Sequence, residues 1–221
     1  MKIILLGDST IQTYPADRYP QTGWGQVFPR FLKREVEVLN FGKGGCSTKS
    51  FHDEGRLKSA LTYLKAGDYV FIQFGHNDQK FEVYRKTEPF TSYLDYLKIY
   101  LNEIKNKGGN PVLLSSIYRR HFDKTGQLID KVHGDFPEAM RILSESEAIP
   151  YLDICSLTAR ALQKLGDEAS KMLFMNFGPE IHPNYPEGSL DNTHLSACGA
   201  YWVSEIVSQA LKEKGLLSDY L

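Results

Sequence analysis

The chain has 221 residues, of which 24% are charged, and its formal net charge is −1. This length is typical of one α/β domain with a sizeable core, so we expect a single domain over residues 1–221. The balanced charge, without a basic stripe, argues against a nucleic-acid partner. No apolar run approaches the roughly 18 residues of a membrane span or the h-region of a secretory signal. We therefore expect a cytoplasmic protein without a membrane partner.

Short apolar runs alternate with helical patterns along the chain. The runs predict five β-strands, at residues 2–6, 36–40, 68–74, 111–115 and 149–152. The periodic segments predict four helices, at residues 90–106, 136–147, 155–165 and 196–214. Strands separated by helices indicate an α/β fold with a five-stranded parallel sheet. Residues 167–193 are rich in Gly and Pro and predict an ordered functional loop.

Ser9 is the candidate nucleophile because of its place after the first strand. It follows Gly7 and Asp8, directly beyond the apolar run Ile3–Leu6. In an open α/β sheet, a turn at the carboxyl end of a strand presents its side chains to the ligand crevice. A serine at that point has the position that covalent catalysis requires.

Asp191 and His194 supply the two partners that a nucleophilic serine needs. His194 would accept the Ser9 proton, and Asp191 would hold the other ring nitrogen of His194. The three-residue spacing predicts that both side chains lie on one turn. Alternatively, Asp191 caps the final helix and His194 is incidental.

Donors for a tetrahedral oxyanion are also present. We expect them to be the backbone N–H of Ser9, an N–H of the glycine-rich turn at residues 42–45, and the side-chain amide of Asn77. Such a turn can instead cradle a phosphate, but this one lacks the spacing of nucleotide-binding loops. The His and Asp residues show no zinc-site spacing, so we expect no metal and no cofactor.

Taken together, these blocks resemble the SGNH (GDSL-type) hydrolases. The resemblance rests on Gly7-Asp8-Ser9, the glycine turn, Gly75-x-Asn77-Asp78 and Asp191-x-x-His194. It places the glycine of the oxyanion hole at Gly45. The segments around Gly23-Trp24-Gly25, residues 40–51 and residues 134–139 are most similar to rhamnogalacturonan acetylesterases, in order along nearly the whole chain.

The resemblance implies a three-layer α/β/α, flavodoxin-like fold and removal of acetyl groups from pectin-type sugars. We expect Trp24, Phe177 and Tyr185 to form a wall on which sugar rings stack, and Arg119 to pair with a uronate carboxylate. Packing roles for the three aromatic residues, and a solvated loop position for Arg119, stay open. Two other functions also stay open: hydrolysis of another acyl ester, and sugar binding without catalysis. The sequence predicts no oligomeric state and no role for Cys46.

Overall fold

A twisted parallel sheet forms the centre of the computed structural model, which describes residues 1–221. Its strands are β1 (Lys2–Gly7), β2 (Glu37–Asn40), β3 (Tyr69–Gln73), β4 (Asn110–Leu114) and β5 (Tyr151–Leu152). All pairs are parallel, and the spatial order is β2-β1-β3-β4-β5. This is the flavodoxin-like order. The five predicted strands are confirmed, and β5 is shorter than predicted.

Helices cover both faces of this sheet. They are α1 (Trp24–Val27), α2 (Thr48–Asp53), α3 (Arg56–Ala60), α4 (Ser92–Asn106), α5 (Phe136–Ser146), α6 (Ile154–Leu165), α7 (Asp167–Ser170) and α8 (Ala197–Glu213). Ile3 and Leu5 of β1 pack in one core with α1, α6 and α8. Ile4 and Leu6 pack in a second core with α3, α4 and α5. Because strand side chains alternate between faces, one apolar strand serves both cores, and the fold has three layers.

The four predicted helices correspond to α4, α5, α6 and α8. The last helix, α8, has a capping residue at each end. Ser196 Oγ accepts a hydrogen bond from the Gly199 N–H at 3.2 Å. Gly215 follows the end of α8 in the left-handed conformation, with a φ of 66°. No helix of the structure combines the length and the apolar character that crossing a membrane requires.

Residues 167–193 contain more regular structure than the predicted loop. They hold α7 and most of an antiparallel hairpin, formed by β6 (Phe174–Phe177) and β7 (Ser189–Leu195). The glycines and prolines that suggested a loop are concentrated in the connection between these strands, at residues 178–188. Apolar runs do not predict these strands because β6 has only four residues and most residues of β7 are polar. A register shift also interrupts their pairing between Phe174 and Asn176.

The prediction that Trp24 contacts a sugar is wrong. Its side chain is fully buried at the start of α1, where it packs edge-on against Phe28. The indole N–H donates to Gln73 Oε1 at 2.9 Å. Burial of the ring and pairing of its only polar atom make Trp24 a core residue beneath the site.

Gly199 lets the first turn of α8 approach the residue before β6 closely. A Cβ at this position would lie 1.8 Å from the Leu173 carbonyl oxygen. We predict that Gly199→Ala lowers the free energy of unfolding by about 1–3 kcal/mol, because the backbones must separate. Gly178→Ala is the matched control, since its Cβ would meet no atom within 4 Å. Denaturant unfolding of both variants tests this, and equal stabilities would contradict the packing argument.

Candidate active site

The carboxyl ends of neighbouring strands bring the candidate residues together. Ser9 follows β1, the glycine turn follows β2, and Asn77 follows β3. The chain leaves β1 toward β2 on one side and returns as β3 on the other, which makes this edge a topological switch point. Open α/β sheets bind ligands in the crevice at such a point.

Ser9, His194 and Asp191 form one hydrogen-bonded chain. Ser9 Oγ lies 3.0 Å from His194 Nε2. His194 Nδ1 lies 2.5 Å from Asp191 Oδ2. These distances join a hydroxyl to an imidazole and the imidazole to a carboxylate, which is the arrangement that activates a serine in covalent catalysis.

The Asp191 carboxylate is held by its own strand rather than by the turn we expected. Its Oδ1 accepts the backbone N–H groups of Thr193 at 2.7 Å and His194 at 3.0 Å, within β7. Burial alone would raise the pKa of Asp191. The hydrogen bond to His194, the charge of His194 and the two backbone N–H donors outweigh this effect and lower the pKa to about 2. Asp191 is therefore a carboxylate at neutral pH.

A second carboxylate, Asp8, fixes the turn that carries Ser9. It is fully buried, and its Oδ1 accepts the backbone N–H of Thr10 at 2.9 Å and the Thr10 hydroxyl at 2.8 Å. Its Oδ2 lies 3.2 Å from Nδ1 of the buried His76, in the turn after β3. Burial opposes ionisation of Asp8, but His76 and Thr10 leave its pKa below the ordinary value.

Two backbone N–H groups of residues that line the cleft have no hydrogen-bond partner. The amides of Ser9 and Gly45 donate to no acceptor in the chain. Gly45 has a φ of 81°, which an L side chain rarely adopts. The preceding amide, of Gly44, is held at 2.5 Å by Gln12 Oε1. Free donors of this kind are what an oxyanion hole offers.

Asn77 lies in the same cleft as Ser9 and Gly45. One proton of its side-chain amide goes to the Cys46 carbonyl at 2.9 Å, which leaves the second proton free. The Cys46 thiol has no comparable role: the side chain is buried, and this burial raises its pKa. Such a thiol is a weak nucleophile at neutral pH.

Asp78, the acidic residue in the turn after β3, does not contact the His194 ring. It is fully buried and accepts the backbone N–H of Thr48 at 3.1 Å and the Thr48 hydroxyl at 2.5 Å, at the start of α2. Burial raises its pKa to about 7, although these hydrogen bonds act in the opposite direction. Asp78 therefore joins α2 to the turn after β3.

Two connected arms of one cleft meet at Ser9, Gly45, Asp191 and His194. The larger arm, of about 650 Å³, contains Tyr185. The smaller arm, of about 370 Å³, contains Arg119. Phe177 lines neither arm; its ring packs edge-on against Tyr185 and His182, so it supports the cleft wall from behind.

Several side chains around the site were missed at the level of sequence. Gln73 is fully buried; it accepts from Trp24 and donates to the Ser115 carbonyl at 2.9 Å. A glutamine inside the apolar run of β3 was a detectable signal, because a buried amide needs partners. Gln12 and Arg85 gave no such signal, since they lie in polar loops. No group of His, Cys, Asp and Glu side chains in the structure could hold a metal ion.

Two proteins of Bacillus subtilis are similar in sequence to this chain along almost its whole length. It is 41% identical to the rhamnogalacturonan acetylesterase RhgT of Bacillus subtilis, in a match that covers 100% of the chain and 94% of RhgT. It is 35% identical to the probable rhamnogalacturonan acetylesterase YesY of the same organism, over 97% of the chain and 94% of YesY.

Solved structures share its fold. The YxiM protein of Bacillus subtilis superposes with a TM-score of 0.80 at 25% identity; the match covers 97% of this chain but only 56% of YxiM. The acetylxylan esterase Axe2 of Geobacillus stearothermophilus superposes with a TM-score of 0.66 at 17% identity, over 97% of this chain and 94% of Axe2. The model of the GDSL-like lipase/acylhydrolase family matches residues 5–186. The chain belongs to this family.

Proposed function

We propose that this protein is a serine esterase that removes O-acetyl groups from pectin-derived sugars, with rhamnogalacturonan oligosaccharides as substrates. The observation that carries the proposal is the continuous chain from Ser9 Oγ through His194 to Asp191, with distances of 3.0 Å and 2.5 Å. The similarity to RhgT and YesY supports the choice of acetyl esters on these sugars.

The first half of the reaction acylates Ser9. His194 Nε2 accepts the hydroxyl proton while Ser9 Oγ attacks the acetyl carbonyl carbon. The carbonyl oxygen becomes an oxyanion, which the free N–H groups of Ser9 and Gly45 and the Asn77 amide stabilise. Collapse of this intermediate breaks the ester bond. His194 returns its proton to the sugar oxygen, which leaves as an alcohol.

The second half releases acetate. A water molecule gives a proton to His194 and attacks the acetyl-Ser9 carbonyl, and the same donors stabilise the second oxyanion. Collapse of this intermediate breaks the bond between Ser9 Oγ and the acetyl carbon, His194 returns the proton to Ser9 Oγ, and acetate leaves. Asp191 stays ionised throughout and holds the proton of His194 Nδ1, so Nε2 keeps the lone pair that both attacks need. No step requires a cofactor.

The composition of the cleft favours a short acyl group. Of the side chains that line the larger arm, only those of Tyr14, Pro15, Met175 and Tyr185 are apolar or aromatic, and none of those lining the smaller arm is apolar. A long acyl chain needs a continuous apolar groove to leave water, because its burial is the main source of affinity. We therefore expect acetyl esters to be preferred over octanoyl esters.

Ser9→Ala is expected to lower kcat for acetate release from acetylated rhamnogalacturonan oligosaccharides by roughly 10⁴-fold or more, because the nucleophile is lost. Ser59→Ala, an exposed serine on α3, is the matched control and keeps the wild-type rate. Near-wild-type turnover by Ser9→Ala would overturn the mechanism. Cleavage of a small aryl acetate without cleavage of the sugar ester would keep the mechanism and exclude this substrate.

Asp191→Asn is expected to lower kcat by roughly 10³–10⁴-fold, because the amide no longer selects the required tautomer of His194. The fold is retained, as the amide oxygen can still accept from the backbone of β7. Steady-state kinetics on an aryl acetate, together with circular dichroism, measure both effects. Full activity of the variant would show that another group orients His194.

The lowered pKa of Asp191 also predicts a dependence of stability on pH. The carboxyl has an ordinary pKa of 3.8 and a pKa of about 2 in the folded chain, so it contributes stability above pH 3.8 that is lost as the pH falls toward 2. The difference in unfolding free energy between wild type and Asp191→Asn should therefore shrink over this range. Denaturant titrations at several pH values test this, and a constant difference would contradict it.

A further inference from the structure

The smaller arm of the cleft differs from the larger one in its charge. Three cationic side chains line it: Lys80, Arg85 and Arg119. Lys80 and Arg85 come from the segment after β3, and Arg119 from the segment after β4. We call this part of the cleft the cationic arm.

Two of the three cations have no carboxylate partner. Arg85 forms an ion pair with Glu82. Lys80 and Arg119 belong to no ion pair of the structure. The cationic arm therefore holds two positive charges that the protein does not neutralise by direct contact.

Arg119 is held in place by neutral groups. Its Nη2 donates to the His76 carbonyl at 3.3 Å. In the amide orientation of Gln79 that satisfies both of its polar atoms, Oε1 accepts from Arg119 Nη2 at 3.1 Å. Arg119 Nε is buried and has no acceptor. A guanidinium fixed in this way is preorganised for an anion that the chain does not supply.

The acids nearest to Arg119 are already engaged. Those whose charge acts on it are Asp8 and Asp191. Asp8 accepts from Thr10 and lies against His76, and Asp191 lies against His194. Neither carboxylate contacts Lys80 or Arg119 directly, so an anionic ligand would displace no internal partner there. Asp191 also lines the arm, but the three cations outnumber it and leave the lining positively charged.

We propose that the cationic arm binds the carboxylate of a uronate residue of the substrate, and that Lys80 and Arg119 thereby select acetyl esters on acidic sugars over those on neutral sugars. The inference rests on the proposed function, since the arm meets the larger arm at Ser9. With the acetyl carbonyl at Ser9, the sugar that carries it or its neighbour enters the cationic arm. The polar lining accepts a sugar there without apolar contacts.

The test compares two substrates that differ only in charge: acetylated rhamnogalacturonan oligosaccharides, and the same oligosaccharides with their uronate carboxylates reduced to alcohols. Wild type should hydrolyse the charged substrate with a kcat/KM about 10- to 100-fold higher, because a hydrogen bond to a charged group is lost on reduction. Raising the ionic strength should narrow this ratio.

Lys80→Gln and Arg119→Gln should each lower the ratio of kcat/KM for the charged substrate to kcat/KM for the reduced substrate by about tenfold. The change should appear mainly in KM for the charged substrate. Lys58→Gln, an exposed lysine on α3 outside the cleft, is the matched control and should keep the ratio. If Arg119→Gln fails to fold, Lys80→Gln alone still tests the proposal. An unchanged ratio in the folded variants, or equal rates of wild type on both substrates, would overturn the proposal.

A binding measurement separates this proposal from the proposed function. Calorimetry on the Ser9→Ala protein measures the affinities for both oligosaccharides without turnover. Tighter binding of the charged form, lost in Ser9→Ala/Lys80→Gln, supports the cationic arm even if wild type releases no acetate. Acetate release by wild type with equal affinities for both forms would overturn the cationic arm and leave the esterase standing.

Discussion

The active site depends on the buried carboxylate of Asp8, which lies beneath the nucleophile and needs hydrogen-bond donors there. Asp8 is fully buried directly before Ser9, where an unpaired charge would cost several kcal/mol. Thr10 donates to it twice, and His76 approaches it from the turn after β3. These contacts fix the Ser9 turn against its neighbour in the sheet, so the nucleophile cannot move independently of the Asn77 segment.

Asp191 and His194 reach Ser9 from near the other end of the chain, and the packing of α8 sets their position. Ser204 Oγ of α8 donates to the Trp24 carbonyl at 2.9 Å, and the Thr22 N–H donates to the Leu195 carbonyl at 3.0 Å. The segment that follows Ser9 is thus tied both to α8 and to β7, which carries His194. Loosening this contact would lengthen the Ser9–His194 distance, although neither residue had changed.

The sequence predicted the sheet and the residues that the structure brings together, because both follow from local patterns. Short apolar runs followed by a glycine, such as Ile3–Leu6 before Gly7, identify strands such as β1. Strand ends in a parallel sheet share one edge. The β6–β7 hairpin and the role of Trp24 depended on contacts between distant segments. Trp24 lies beside glycines in a segment near the site, and only its burial and its contacts with Phe28 and Gln73 show that the ring points into the core.

The two kinds of residue in the cleft therefore follow different physical constraints. Ser9, Gly45 and Asn77 sit at strand ends, where backbone geometry determines their direction and tolerates little change. Lys80 and Arg85 lie in the polar segment after the Asn77 turn and line the cleft. Charge in that segment can change without moving the strand ends. Chemistry and selectivity are separable in this fold because the sheet edge and β7 hold the first and the loops beyond them hold the second.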